Sequence, residues 1–259
     1  MKASISRIKA FKACRRAYQL KYVENLIPVQ PAEPLVIGKR YHHYLELLEN
    51  GEGLPQDDYS KEAAMATAYA KYILPKFKVV AAEKELEKEI GTHTLHGFVD
   101  GLTEDGFIVE HKTTSADIKE GGEYEYNLLW DEQVLAYMSL TGLRKVYYTV
   151  CKKPTIRLKK DETEEELFKR ILEWYDEDHE SKIRVFIVER TDEEVAQFEE
   201  DFKQICDEME NGTIYRNTCN CNAWGRRCEY SSICLNYNPE QQYIEFIKNK
   251  KEEDEDVVE

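Results

Sequence analysis

The chain has 259 residues, 42% of them hydrophobic and 34% charged, with only 12 Gly and 7 Pro. That balance suits a globular protein and excludes collagen-like, mucin-like or wholly disordered chains. Apolar runs are a few residues long, far short of the roughly 20 that a bilayer span needs. The opening MKASISRIKAFKACRRAYQL interleaves charged and apolar side chains, so it offers no signal-peptide core, and a cytoplasmic protein without a membrane partner is expected.

The net charge of −15 argues against coating nucleic acid by bulk charge, but it is unevenly spread. Residues 1–40 hold nine bases and two acids, a net of +7 that leaves −22 for the rest. Arg15 and Arg16 on one predicted helix, with Lys39 and Arg40 on the next, make this segment the candidate phosphate-facing surface. The acids gather in DETEEELFKRILEWYDEDHE, TDEEVAQFEEDFKQICDEME and the tail KEEDEDVVE, and a charge run is usually a solvated face.

Residues 4–22 read as a helix capped by Ser4 or Ser6, with Ile8, Phe11, Tyr18 and Tyr22 on one face. NLIPVQPAEP then breaks the pattern. A second helix is expected from about Leu35 to Glu49 and a third in DDYSKEAAMATAYAKYIL, ended at Pro75. The period next changes to short alternating runs, ELEKEI, HTLHGFVDGL and GFIVEHKTT, which predict three antiparallel strands. A helix over NLLWDEQVLAYMSLTG, a strand KVYYTVC, a helix LFKRILEWY, a strand VFIVER and a long helix bearing Val195, Phe198, Phe202, Ile205 and Met209 follow. The expected class is α/β or α+β, a mixed sheet flanked by helices. One domain is expected over 1–240: N-terminal helices to 80, a core to 190, a C-terminal helix and cysteine segment, and a disordered acidic tail over 241–259.

Chemistry concentrates in HGFVDGLTEDGFIVEHKTT. Glu110 and Lys112 are two apart on a strand and so share a face, and a hairpin turn at Thr103–Gly106 brings Asp100 beside them. Two carboxylates with an ammonium suit Mg²⁺ or Mn²⁺ and the charge that develops on a phosphodiester. GKRYHHYLE sets His42 on a helix beginning just after Gly38. WDEQVLAYMSL sets Gln133 and Tyr137 at i and i+4, on one face.

Gly-x-x-x-His, Gly-x-x-Asp, Glu-x-Lys and Gln-x-x-x-Tyr in this order resemble the PD-(D/E)xK nuclease superfamily, and more narrowly its RecB-like exonuclease branch. The resemblance spans about 4–236 and implies a restriction-endonuclease-like core. It implies metal ligands at His42, Asp100 and Glu110, a catalytic Lys112, and DNA contacts from Gln133 and Tyr137; the spacing from Gly38 favours His42 over His43. The implied substrate is single- or double-stranded DNA ends in repair, recombination or phage DNA processing, in a bacterial, archaeal or phage-infected cell. A non-catalytic DNA-binding subunit is the alternative.

Seven cysteines are many for a reducing compartment. Cys151 and Cys206 fall in apolar stripes and read as core thiols, while Cys219, Cys221, Cys228 and Cys234 lie within sixteen residues. Relatives similar to the CRISPR-adaptation exonucleases and the AddB helicase-nuclease subunit join one N-terminal and three C-terminal cysteines at a [4Fe–4S] cluster, sometimes alongside recombination or adaptation partners. That resemblance implies Cys14, Cys221, Cys228 and Cys234, with Cys219 a rival for Cys221. A zinc site of the four C-terminal cysteines, in a protein-interaction domain, is the other reading, although its spacings fit no common ribbon or finger.

Overall fold

In the computed structural model the described residues are 1–30, 32–223, 227–235 and 246–248. In chain order they form β1 (Lys2–Ser4), α1 (Ile5–Ala13), α2 (Arg15–Tyr18), β2 (Leu26–Pro28), α3 (Glu33–Glu49), α4 (Lys61–Tyr72) and β3 (Val79–Ile90). There follow β4 (His93–Thr103), β5 (Ile108–Thr114), α5 (Glu123–Leu128), α6 (Glu132–Thr141), β6 (Lys145–Lys152) and α7 (Glu164–Glu177). β7 (Ile183–Glu189), α8 (Asp192–Asn211), α9 (Ser231–Leu235) and β8 (Phe246–Lys248) complete the series. Most of the expected acidic tail lies outside the described residues.

The chain divides into two compact units. The larger comprises Pro34–Glu87 and Gly97–Phe198. Its strands follow the order β4-β5-β6-β7, with β3 pairing β4. β4 and β5 are antiparallel, β5 and β6 parallel, β6 and β7 antiparallel, which is the mixed sheet expected. Alternation along the strands sends side chains to two cores. Cys151, Ile183 and Val185 join Tyr41, Leu45, Tyr69, Ile171 and Tyr175 from α3, α4 and α7. Val146, Tyr148, Val150, Phe186 and Val188 join Val134 and Met138 of α6 on the other. Helices thus cover both faces.

The helix expected over 127–142 is two helices. Asp131 has extended backbone, and its carboxylate accepts the Gln133 N–H (3.1 Å), so α6 starts afresh with its own cap. The smaller unit comprises Met1–Glu33, Lys88–His96 and Glu199–Glu259. In it β1 runs parallel to the first residues of β4, and β2 pairs antiparallel with β8. The helix expected over 4–22 is broken at Cys14, which has φ −163° and ψ 112°. The break frees polar groups on both sides, and later segments satisfy them. Arg16 N–H donates to the Tyr215 carbonyl (3.1 Å), and Asn217 Nδ2 donates to the Ala13 carbonyl (2.9 Å). None of the described helices is long and apolar enough to cross a membrane.

Candidate active site

The site forms where the β4–β5 ladder ends. Gly101 pairs with Val109, and a Cβ on Gly101 would come within 3.3 Å of both Val109 and Val79, a tight contact that glycine avoids. Beyond it, Asp100 Oδ2 accepts the His111 N–H at 2.6 Å. A side chain has taken a ladder position, and Asp100 is fixed while almost fully buried. The predicted hairpin is present: Thr103 N–H donates to the Phe107 carbonyl (2.9 Å), and Gly106 takes φ 81°.

Across this gap His42, from α3, puts Nδ1 3.7 Å from Asp100 Oδ1. His43, the other candidate, points to solvent beside Glu46, so of the two it is His42 that lies near Asp100. Gly38 lies inside α3 rather than before it, and a Cβ there would meet nothing. It is not what starts the helix.

Glu83 is a third donor, absent from the sequence-based expectation. Ligand atoms of His42, Glu83 and Asp100 lie within 4.8 Å of one another. In β3 the inward row runs Val79, Ala81, Glu83 and then Leu86, Lys88, Ile90, so one extra residue is absorbed as in a β-bulge. Glu83 itself takes φ 45°. Strict alternation would have grouped it with the exposed Glu85 and Glu87, so the sequence carries no signal for it.

Glu110 and Lys112 share a face as expected, with Nζ 2.5 Å from Oε1. Lys112 also donates to Gln133 Oε1 (3.0 Å), and Gln133 Nε2 donates to the Tyr137 hydroxyl (2.7 Å). Gln133 and Tyr137 therefore orient the lysine. Tyr137 is itself almost fully buried, which limits what it could offer to DNA.

The electrostatics fit a cation site. Burial, and then the Asp100 charge, push Glu83 up to about 7. Burial and Asp100 likewise raise Glu110, although Lys112 opposes them. Burial works against the charge on Lys112, yet Glu110 and Asp100 overcome it and hold the ammonium above its ordinary value. Burial lowers His42 despite Asp100, favouring a neutral ring with a lone pair to give. Two buried atoms, His42 Nδ1 and Glu110 Oε2, have no hydrogen-bond partner. Crowded carboxylates, a neutral imidazole and orphaned acceptors are what a divalent ion would satisfy.

On the opposite face of β5, His111 Nε2 lies 3.1 Å from Glu49 Oε1, and its Nδ1 lies 2.7 Å from Thr149 Oγ1. Tyr69 donates to the same Glu49 oxygen (2.5 Å). Burial disfavours the imidazolium, but Glu49 outweighs it and lifts His111 to about 9. This sealed ion pair braces α3 and α4 against the strand that carries Glu110 and Lys112.

The expected phosphate contacts mostly have internal partners. Arg15 pairs with Glu208 and lies over the rings of Phe11 and Tyr215. Arg16 donates to Gln19 and Glu24, and Arg40 to Tyr44 and Asp58. Lys39 is exposed on α3.

In the smaller unit Cys14, Cys221, Cys228 and Cys234 line one cavity of about 310 Å³, whereas Cys219 is exposed and does not line it. Of the two rivals, Cys221 is the one at the cavity. The helix break turns Cys14 toward this space, and its sulfur accepts the Asn217 N–H (3.3 Å). Burial raises the Cys228 thiol, with the Cys221 and Cys234 thiols adding to it. Four clustered sulfur donors fit an iron–thiolate group by chemistry, with Lys21, Arg216 and Glu229 the charged residues of the same lining.

The fold resembles that of a protein from Eubacterium rectale assigned provisionally as an exonuclease, at 16% identity and a TM-score of 0.54, over 93% of this chain and 90% of that one. More distant are an alkaline exonuclease from Laribacter hongkongensis (14% identity, TM-score 0.37, 81% and 88% covered) and a phage-related exonuclease from Haemophilus somnus (14%, 0.38, 66% and 79%). Among curated proteins none matches. The family model of the PD-(D/E)XK nuclease superfamily matches residues 2–235, so nearly the whole chain, site included, belongs to that superfamily.

Proposed function

We propose that this chain is a Mg²⁺- or Mn²⁺-dependent DNA exonuclease acting at strand ends, with a [4Fe–4S] cluster held by Cys14, Cys221, Cys228 and Cys234. The observation that carries the reading is the convergence of His42, Glu83 and Asp100 donors beside the buried Glu110–Lys112 pair. A divalent ion held by His42, Glu83, Asp100 and Glu110 would lower the pKa of bound water and polarise the phosphodiester. Asp100 stays in place through the His111 N–H. Lys112, kept cationic by Glu110 and oriented by Gln133, sets positive charge where the phosphoryl oxygens gain negative charge. The provisional exonuclease assignment of the Eubacterium rectale protein of similar fold agrees with this reading.

The test is an anaerobic preparation of the full chain assayed for iron, sulfide and Mn²⁺-dependent loss of end-labelled DNA, single- and double-stranded. Asp100→Ala and Lys112→Ala should each lower the rate about a thousandfold or more with the fold intact. Cys14→Ser should lose the iron while Cys219→Ser keeps it. Full activity in Asp100→Ala, or intact DNA with the loaded parent protein, overturns the nuclease assignment. Full iron in Cys14→Ser overturns the cluster.

A further inference from the structure

The turn joining α5 to α6 exposes an unusual amount of apolar surface. Tyr126, Leu129 and Trp130 are 59, 52 and 71% exposed, within five residues. Single exposed hydrophobes are ordinary; a cluster of this kind marks a contact surface. Nor is the turn loose. Leu129, Trp130 and Asp131 each donate their N–H to the carbonyl three residues back. From β7's end, Arg190 Nη2 donates to the carbonyls of Leu128 (3.2 Å) and Leu129 (2.9 Å). The Tyr126 and Trp130 rings meet edge-on at 6.4 Å. A backbone bonded at this density holds aromatic faces toward water rather than letting them fold inward.

Position says what covers them. Trp130 is one peptide bond from Asp131, about 3.8 Å between Cα atoms. Asp131 starts the helix that orients Lys112 and accepts a hydrogen bond from Tyr148, the register partner of Glu110. The aromatic turn is therefore the lip of the site. Its exposed-side charges are acids, Glu123 and Glu125 on α5 and Glu132 on α6. The one cation against the turn, Arg190, has its side chain buried and engaged with the Leu128 and Leu129 carbonyls and Glu194. The acids disfavour phosphates at the turn itself, so a nucleic acid meets the rings with its bases. In a duplex only the terminal pair has a free face, whereas an unpaired strand can offer each of its bases.

We propose that Trp130, supported by Tyr126, is a stacking platform for an unpaired nucleobase of single-stranded or frayed DNA next to the scissile phosphate, so that the enzyme selects for strand ends that have opened. This deepens the nuclease reading and rests on it. A binding assay that needs no catalysis keeps the two apart. The affinity of full-length protein for a fluorescein-labelled oligothymidylate and for a blunt hairpin duplex is measured in EDTA, across a salt series, for the parent, Trp130→Ala and Trp130→Phe.

Trp130→Ala should weaken single-strand binding at least fivefold, on the order of the loss of one stacked base. Trp130→Phe should keep most of the affinity. The salt slope should stay at the parent value, because no phosphate contact is lost, and duplex affinity should change less than twofold. Tryptophan emission quenched by the oligonucleotide in the parent should be largely unquenched in Trp130→Phe. Unchanged single-strand affinity in Trp130→Ala, an equal loss for the duplex, or an altered salt slope overturns the platform. If the parent degrades DNA while Trp130→Ala binds normally, the platform falls and the nuclease stands. If the parent degrades nothing but loses single-strand affinity through Trp130→Ala, the nuclease falls and the platform stands. A parent chain that binds no oligonucleotide overturns both.

Discussion

Replacing Glu83 by Gln keeps shape and backbone but removes a charge the folded protein holds at a cost. Its carboxyl is raised from 4.5 to about 7, by burial first and by Asp100 and Glu46 next. A folded-state pKa above the unfolded one means that ionisation opposes folding. The cost is absent below about pH 4.5, grows between pH 4.5 and 7, and is complete above that. At full strength the shift corresponds to about 3 kcal/mol, and partial solvent screening of this half-buried group reduces it to about 2. Metal-free Glu83→Gln should therefore melt above the parent by roughly 4–8 °C at pH 8.5, the scale for a chain of this size, and no higher at pH 4.5. Mn²⁺ should invert the order, since a bound ion stabilises by its affinity and the variant has lost a ligand. Its affinity should fall about ten- to a hundredfold, by comparison with lesser changes around metal sites. Thermal melts in EDTA and across a Mn²⁺ titration, at both pH values, provide the measurement. A gain equal at the two pH values, or the same Mn²⁺ stabilisation in both proteins, would show that Glu83 neither bears this cost nor binds the ion.

Gln133→Ala should lower kcat about tenfold with KM for DNA changing less, because the side chain holds Lys112 (3.0 Å); a rise in KM alone would make it a DNA contact instead. Asp58 accepts from Tyr44, Arg40 and the Ser60 N–H. Burial would raise its carboxyl, but the Tyr44 and Ser60 bonds bring it down to about 2. Asp58→Asn should thus cost on the order of 1–2 kcal/mol at neutral pH, a gap that closes as pH falls from about 4 to 2. Urea denaturation at pH 7 and pH 2.5 checks this, and a gap constant with pH refutes it.

Local patterns placed most elements correctly because period and caps are written in neighbouring residues. The strands at GFIVEHKTT and KVYYTVC and the helix of Val195 and Phe202 are where alternation and helical spacing set them. Asp100, Glu110, Lys112, Gln133 and Tyr137 were legible for the same reason: each pair sits on one strand, one hairpin or one helix face. What escaped depends on distant partners. Glu83 reaches the site only through a one-residue bulge in an otherwise monotonous run of Glu and Lys. Glu49 and His111 are 62 positions apart, and nothing local marks them as a buried pair. The break at Cys14 is invisible because its released groups are satisfied by residues 215 and 217. Asp131, by contrast, is a capping residue type ahead of a helical stripe and did carry a signal for the break before α6.

The bend between α1 and α2 is held by residues that are synthesised much later. Ala13 and Arg16 are synthesised some two hundred residues before their backbone partners, Asn217 and Tyr215. At about 5–20 residues per second, some ten to forty seconds of synthesis separate the two. Through that interval the bend at Cys14 has nothing to hold it, and α1 and α2 are free to run on as one continuous helix. The cavity shared by Cys14 and Cys234 therefore comes into being only after the segment from Tyr215 to Cys234 has been made. A translation product that stops short of Tyr215 keeps His42, Glu83, Asp100, Glu110 and Lys112 but lacks the carbonyl and amide that hold the bend at Cys14.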